Sequence, residues 1–376
     1  MAFTQMQTDL RFMAAAERYA RRGLGEVWPN PPVAALIVRE NENGQHVVVG
    51  RGRTSKPGGP HAEVNALTMA GTAAKGATCY VTLEPCSHYG RTPPCSVALV
   101  EAGIKRVVIG MRDPNPRVAG RGIKMLEEAG VEVEVGVHEV ACQELYSGFI
   151  MRITQHRPKV LLKLAISKDG FIGKKGEGQV RISNPLSMRH VHGFRSTYDA
   201  IMVGIGTALA DDPQLTCRLP GMAERSPVRV IIDSDARLPL ASKLVMTAAE
   251  VPVWLVCSST APAERIEALS KAGVLIIRVP TTDCGIEPSV VTSALSTRGI
   301  TRLMVEGGSR IASAFLKAGL VDDMCIVTGD IEVGEGGIPV LHDLRLEDVV
   351  ADPSFAKVEA GVIGSDQFIY LRRIGA

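Results

Sequence analysis

Val81-Thr82-Leu83-Glu84-Pro85-Cys86-Ser87-His88-Tyr89-Gly90-Arg91-Thr92-Pro93-Pro94-Cys95, read with His61-Ala62-Glu63 upstream of it, decides how the first half of the chain folds and what it can hold. One imidazole, two thiols and one carboxylate form a set able to bind zinc and move protons. With His61, Cys86 and Cys95 as ligands, the fourth tetrahedral position stays open to water, as in catalytic rather than structural sites. Glu63 is then free to serve as general base. His88 is the alternative fourth ligand; using it would close the site and leave Glu63 without a role.

The local geometry is demanding. On an ideal helix, positions two apart lie roughly 200° around the axis, so His61 and Glu63 cannot both face one metal from mid-helix. They can do so in a first turn, and Gly58-Gly59-Pro60 places a helix start there. The loop leaves strand 77–83 at its carboxyl end, where ligands of α/β sheets bind. Cys95 follows Pro93-Pro94 at a helix start, where backbone N–H groups favour a thiolate. Cys79 inside the strand reads as a small buried hydrophobe.

Outward from this centre, apolar spacing predicts a helix over 6–22, a strand over 33–38 and, past the Asn43-Gly44 turn, a second strand over 46–50. Downstream come helix 95–102, strand 106–110, helix 121–129, strand 131–135 and helix 138–151. This alternation predicts an α/β sheet covered by helices. The polar segment 152–157, ending at Pro158, reads as a linker.

Beyond it, apolar runs at 160–166, 200–203, 228–232, 253–257, 274–279 and 303–305 read as short buried strands. Helical patterns lie at 185–195, 262–272, 287–297 and 311–318, and 355–362 and 367–372 read as two further strands. The expectation is a mixed, mainly parallel sheet with helices on both faces. Val203-Gly204-Ile205-Gly206-Thr207 and Val305-Glu306-Gly307-Gly308-Ser309 each follow a strand. Neither is a full dinucleotide fingerprint, and both are read as tight-turn glycines that could also approach a phosphate. Ala210-Asp211-Asp212-Pro213 gathers two carboxylates near Arg218 and is also readable as a capping turn.

Composition narrows the class. At 376 residues the chain is long for one domain and comfortable for two. A 45% hydrophobic and 22% charged makeup is that of a globular protein. A net charge of +2 and 4% aromatic residues argue against a nucleic-acid editing deaminase, which needs a basic channel with stacking rings. A non-catalytic zinc scaffold is the other rival; zinc binding without ammonia release would mark it. No apolar run reaches membrane-span length, and no secretory leader pattern opens the chain. Scattered cysteines favour a reducing cytoplasm.

The His-x-Glu…Pro-Cys…Cys order is that of zinc nucleobase deaminases, although eight residues separate Cys86 from Cys95 where the common form has two. His61-Ala-Glu63-Val, the 81–95 stretch and Asp113-Pro-Asn-Pro-Arg-Val-Ala-Gly-Arg-Gly resemble the bifunctional deaminase/reductase family of riboflavin biosynthesis, in which the long spacing is normal. The resemblance covers essentially the whole chain. It implies a cytidine-deaminase-like α/β/α domain over 1–152 and a dihydrofolate-reductase-like α/β domain over 157–376. It implies zinc on His61, Cys86 and Cys95, Glu63 as proton shuttle, and a substrate-facing loop at Pro29-Asn30-Pro31, with Pro32 where many members have Asn.

In the second half, Leu162-Lys163-Leu164-Ala165-Ile-Ser167-Lys-Asp169-Gly170, the Ala-Asp-Asp-Pro run, Ile232-Asp233-Ser234 and Val305-Glu306-Gly-Gly308 resemble the reductase motifs of the family. Residue by residue, the resemblance implies NADPH contacts at Ala165, Arg181, Thr207, Asp211, Ser234, Gly308, Ser309, Arg310, Ile311, Ala312, Ser313 and Ala314. It implies that Gln179, Arg195, Leu215, Arg218 and Glu306 hold a phosphoribosylaminopyrimidine. Near Gln179 and Arg181 many members carry Ser and Trp, whereas Arg181-Ile-Ser looks more like the single-function reductases. The implied enzyme is cytoplasmic, acts on a small molecule without nucleic acid or membrane, and assembles as a dimer or tetramer.

Overall fold

In the computed structural model, described for residues 4–89, 93–116, 118–283 and 285–375, the chain forms two compact units, Met1–Gln155 and His156–Ala376. Gly90, Arg91 and Thr92 of the 81–95 stretch, and Arg117, lie outside the described residues.

The first unit is built on five strands: β1 (Ala34–Glu40), β2 (His46–Arg53), β3 (Thr78–Val81), β4 (Arg106–Ile109) and β5 (Glu132–Val135). They lie in the order β2-β1-β3-β4-β5, with β1 antiparallel to both neighbours and β3, β4 and β5 parallel. Period-two alternation sends Ala35, Ile37, Cys79, Val81, Val107 and Ile109 to one core. Ala34, Leu36, Tyr80 and Val108 go to the other. Helices Ala62–Ala70, Cys95–Glu101 and Arg121–Glu128 supply residues to the first core, and Gln5–Arg21 and Glu139–Gln155 to the second. A three-layer α/β/α unit results, as its apolar runs predict.

One boundary differs instructively. β2 does not stop at Gly50 but runs to Arg53. Gly50 and Gly52 are not strand breakers here; they let the alanine-rich helix Ala62–Ala70 lie on the strand. A Cβ on Gly52 would stand 2.1 Å from the Ala62 carbonyl oxygen, and one on Gly50 2.3 Å from that of Ala66. This close approach seats the first turn of the helix, with His61 and Glu63, against the sheet.

The second unit adds β6 (Lys159–Ile166), β7 (Phe171–Lys174), β8 (Ala200–Gly204), β9 (Val228–Ile232), β10 (Val253–Ser258), β11 (Leu275–Val279), β12 (Arg302–Glu306), β13 (Asp323–Thr328), β14 (Gly337–Pro339), β15 (Phe355–Ile363) and β16 (Asp366–Arg373). Nine form one sheet in the order β11-β10-β9-β8-β12-β6-β13-β16-β15. It is parallel from β11 through β13, and the C-terminal hairpin adds two antiparallel strands. β7 and β14 pair separately.

The sequence pattern missed β13 for a clear reason. It opens on Asp323, directly after Asp322, and the two acidic residues read as polar loop. Both are buried and paired: Asp322 with Arg157 at 2.7 Å and the Val160 N–H at 2.8 Å, Asp323 with Lys159 at 3.0 Å. Buried carboxylates are tolerated when paired and hydrogen-bonded in this way.

Candidate functional site

The first candidate site is built on three local starts. His61 is the N-cap of helix Ala62–Ala70, extended at φ −73° and ψ 166°, and Glu63 sits in the first turn. Because His61 lies outside the helix proper, the helical angle between the two residues no longer separates them. Cys86 follows β3, and Cys95 is the first residue of helix Cys95–Glu101. The Cys95 N–H donates to Cys86 Sγ at 3.3 Å, so the helix start serves the sulfur of Cys86 rather than that of Cys95.

His61 Nδ1, Cys86 Sγ and Cys95 Sγ all lie within 4.8 Å of one another. His61 Nδ1 is 3.6 Å from Cys86 Sγ and 3.3 Å from Cys95 Sγ. Tetrahedral zinc with bonds of about 2.3 Å to sulfur and 2.0 Å to nitrogen requires an N···S edge of about 3.5 Å. The donor set therefore fits zinc in both identity and spacing. His88 is exposed and is not part of this trio.

The titration pattern agrees. A hydrogen bond from the Cys95 thiol, with help from His61, lowers the Cys86 pKa and favours its thiolate. The same bond to Cys86, together with burial and the Glu63 charge, pushes the Cys95 thiol up. Zinc binding to this set would displace that proton. Glu63 is 4% exposed, and burial raises its carboxyl to about 7. Perturbation of this kind, at a cluster of ligands, is typical of functional carboxyls.

Glu84 is the supporting residue that spacing alone did not single out. Buried at 4% exposure, it accepts from the N–H groups of Asp113 (3.2 Å), Gly120 (3.0 Å) and Gly122 (3.1 Å). It thereby ties Asp113, Gly120 and Gly122 to the stretch that leads into Cys86. Ser96 Oγ donates to the Cys86 carbonyl at 3.1 Å and fixes the same loop from the other side.

The second candidate site lies along the carboxyl edge of the large sheet. The strands are parallel and adjacent in the order β9-β8-β12-β6, so their carboxyl ends lie in one row. Ser234 follows β9, Thr207 follows β8, Gly308 follows β12, and Ala165 lies near the end of β6. The 204–207 stretch is a helix start, not a tight turn: Gly204 caps helix Ile205–Asp211. Gly307 and Gly308 are turn glycines, at φ +84° and +86°, and Gly308 caps helix Ser309–Lys317 without a side-chain hydrogen bond. A Cβ on Gly308 would meet Thr207 Oγ1 at 3.4 Å, and one on Gly204 would strike Ile311 Cδ1 at 2.7 Å. Gly204 thus makes room for Ile311, while the start of helix Ser309–Lys317, without a side-chain cap, turns backbone N–H groups toward an anion such as the diphosphate of a dinucleotide.

Ser309 and Ala314 are half-buried, Arg310 is exposed, and Ala312 and Ser313 are buried, with Ser313 Oγ accepting from the His342 N–H at 2.9 Å. Asp211 is half-buried and its carboxyl raised by burial. Asp212 is the capping residue: it accepts from the N–H of Lys243 at 2.8 Å. Gln179 and Arg181 lie exposed on the segment between β7 and helix Pro185–Arg195.

Glu306, at the end of β12, is directly opposite Lys163 of β6 in the strand register. Its carboxylate takes Lys163 Nζ at 3.3 Å and Arg195 Nη2 at 2.6 Å. Burial alone would raise it, but the Arg195 and Lys163 charges outweigh that and hold it at about 2. Arg195 Nη1 also donates to the Thr216 carbonyl at 3.1 Å, bringing in the segment with buried Leu215 and exposed Arg218. Arg195, Leu215, Arg218 and Glu306 thus share one neighbourhood. Lys163 is an added member, which an apolar strand pattern conceals. So is fully buried Arg229, whose Nη1 donates to the Gln214 carbonyl at 3.3 Å and anchors that segment.

Comparison with known proteins divides the chain in the same way. Residues 6–111 match the cytidine and deoxycytidylate deaminase zinc-binding region, and residues 158–366 match the RibD C-terminal domain. The riboflavin biosynthesis protein RibD of Aquifex aeolicus is 37% identical over 98% of this chain and 99% of its own length. A structure of Acinetobacter baumannii RibD superposes with a TM-score of 0.85 at 34% identity, covering 98% of this chain and 100% of the other. The diaminohydroxyphosphoribosylaminopyrimidine deaminase/5-amino-6-(5-phosphoribosylamino)uracil reductase of Thermotoga maritima superposes with a TM-score of 0.82 at 34% identity, over 98% and 100% of the two chains. Identity at this level over nearly the full length, carried by both halves, establishes that the chain belongs to the RibD family of bifunctional deaminase–reductases of riboflavin biosynthesis.

Proposed function

We propose that this enzyme acts twice on one phosphorylated pyrimidine. It first hydrolyses the 2-amino group of 2,5-diamino-6-(5-phosphoribosylamino)pyrimidin-4(3H)-one, then reduces the ribosyl group to give 5-amino-6-(5-phosphoribitylamino)uracil. Residues 1–152 are assigned the deamination and 157–376 the reduction. The supporting observation is the presence in one chain of a His61-Cys86-Cys95 cluster beside buried Glu63 and a Lys163-Glu306-Arg195 cluster at a sheet edge.

In the deaminase, His61, Cys86 and Cys95 would hold zinc, which supplies Lewis acidity and lowers the pKa of water. Glu63, outside the ligand set, takes a proton from water and delivers it to the departing amino group. Burial raises its carboxyl, which suits a group that must both take and give a proton.

In the reductase, NADPH supplies the hydride when bound. Ala165, Arg181, Thr207, Asp211, Ser234 and residues 308–314 are assigned to its binding. Gln179, Arg195, Leu215, Arg218 and Glu306 are assigned to the ribosyl phosphate. Exposed Arg218 offers the planar, charge-assisted fork that phosphate favours. Glu306, kept ionised by its two cations, is suited to accept from sugar hydroxyls.

The same reading places the enzyme in the cytoplasm. Free thiols at Cys79, Cys86, Cys95, Cys142, Cys217, Cys257 and Cys325 suit a reducing compartment. Among the described residues no helix is long and apolar enough to cross a membrane. Assembly as a dimer or tetramer belongs to this reading and is checked by analytical ultracentrifugation.

The test is to incubate purified enzyme with the diaminopyrimidinone ribosyl phosphate, with and without NADPH. Ammonia should appear in both cases, and NADPH oxidation should follow deamination. NADPH oxidation without ammonia release would overturn the order of steps, and neither product would overturn the substrate assignment.

A further inference from the structure

His192 lies on helix Pro185–Arg195, one turn before Arg195, and is 8% exposed. Its Nδ1 accepts the backbone N–H of Arg218 at 3.2 Å, so the ring carries its proton on Nε2. Two further bonds run between the same segments. Cys217 Sγ donates to the His192 carbonyl at 3.5 Å, and Arg195 Nη1 donates to the Thr216 carbonyl at 3.1 Å. Cys217 is itself held from behind, its N–H donating to Ser226 Oγ at 3.0 Å. The 215–218 segment needs such fixing, because Leu215 sits at φ +55°, a left-handed conformation uncommon for a residue with a side chain.

We propose that His192 is a positioning residue for phosphate recognition: its ring nitrogen fixes the main chain at Arg218 so that the guanidinium is presented toward the sugar phosphate. The inference rests on the assignment of Arg218 to the substrate phosphate. It adds that the acceptor at His192 Nδ1, rather than the bulk of the ring, is what this task requires. Arg195, on the same helix, supplies a second cation, and Glu306 a carboxylate within electrostatic reach of Arg218, whose Nη1 donates to Gln214 Oε1 at 3.5 Å.

The test compares His192→Leu, which removes the acceptor while filling the space, with His192→Asn and His192→Gln, which restore a carbonyl acceptor. Each is measured for reductase KM and kcat on the deaminated substrate, and for binding of ribose 5-phosphate by calorimetry. Circular dichroism and thermal denaturation report folding. His192→Leu should raise KM and weaken ribose 5-phosphate by roughly three- to tenfold, the loss of one neutral hydrogen bond, with kcat changed less than about twofold. At least one amide variant should recover most of that loss. In an Arg218→Ala background, His192→Leu should cost nothing further. If His192→Leu does not fold, His192→Met takes its place.

The outcomes separate. Arg218→Ala weakening ribose 5-phosphate while His192→Leu leaves it unchanged would overturn the positioning role alone. Arg218→Ala leaving ribose 5-phosphate unchanged would overturn the phosphate assignment and this inference with it. Equal loss in the Leu, Asn and Gln variants would show a packing role and also overturn the inference.

Discussion

Gly122 passes so close to Pro85 that a Cβ on it would stand 2.0 Å from the Pro85 carbonyl oxygen. The neighbour is backbone, one residue before Cys86, assigned as a ligand, so it cannot rotate aside as a flexible side chain could. Gly122 also donates its N–H to Glu84, which fixes the other side of the same loop. Gly122→Ala must therefore push the start of helix Arg121–Glu128 and the Pro85-Cys86 backbone apart. Overpacking of this kind costs about 1–3 kcal/mol, and here the strain falls on a ligand. The variant should bind zinc at least tenfold more weakly and lose deaminase activity in proportion, with the reductase unaffected. Competition against a chromophoric chelator measures the affinity, and wild-type affinity would remove Gly122 from the support of the site.

Glu63 should separate from the ligands by its metal content. Glu63→Gln keeps the shape of the buried side chain and removes its proton chemistry. It should retain one zinc per chain and release ammonia about a hundredfold more slowly or worse, the scale of a lost general acid–base. Cys86→Ser and Cys95→Ser should lose both zinc and activity. Metal analysis together with an ammonia assay distinguishes the two behaviours. A Glu63→Gln variant as fast as wild type would end its assignment as proton shuttle.

Much of this could be read from the residues. Strands buried on both faces appear as continuous apolar runs, so the cores of both sheets were legible at Val107-Val108-Ile109 and Val160–Leu162. The candidate zinc set was legible because donors of the right softness stand at helix and strand ends marked by proline. What stayed hidden depended on contacts distant in sequence. Gly50 and Gly52 look like the end of a strand until a helix is seen lying on them. Asp322-Asp323 look like loop until Arg157 and Lys159 meet them. Lys163 inside an apolar strand gives no sign of its partner until β12 sets Glu306 beside it.

The two activities should come apart by mutation. On the assignment proposed above, Arg218→Ala removes a charge-assisted contact to the sugar phosphate, of order 1.5–3 kcal/mol, or roughly ten- to a hundredfold in KM of the reductase. Ammonia release should be nearly unchanged, because His61, Glu63, Cys86 and Cys95 all lie in the other unit. Conversely, Glu63→Gln should reduce the already deaminated intermediate at close to the wild-type rate. Both variants are assayed on both substrates, with circular dichroism as a folding check. A folded, zinc-loaded Arg218→Ala enzyme that released no ammonia would point to one composite site instead of two.

Acid should destabilise the C-terminal unit in two stages set by His192 and Glu306. Burial lowers the His192 pKa from 6.5 to about 4, and the nearby Arg195 and Arg218 charges act in the same direction, against Glu306. Above 6.5 the ring is neutral both folded and unfolded, so it contributes no pH dependence. Between 6.5 and 4 the unfolded chain takes up a proton that the folded chain refuses, and stability falls as pH falls. The total loss is about 3 kcal/mol once pH is below 4. Glu306 acts lower. Its carboxyl, depressed from 4.5 to about 2, gives stability that is complete above 4.5 and is lost as pH falls toward 2. Scanning calorimetry of the full chain from pH 7.5 to 4 should show the transition of this unit moving to lower temperature with acid. In His192→Asn, which cannot titrate, that slope should flatten between 6.5 and 4. Parallel profiles for the variant and the wild type over that interval would show that His192 is not kept neutral in the folded enzyme.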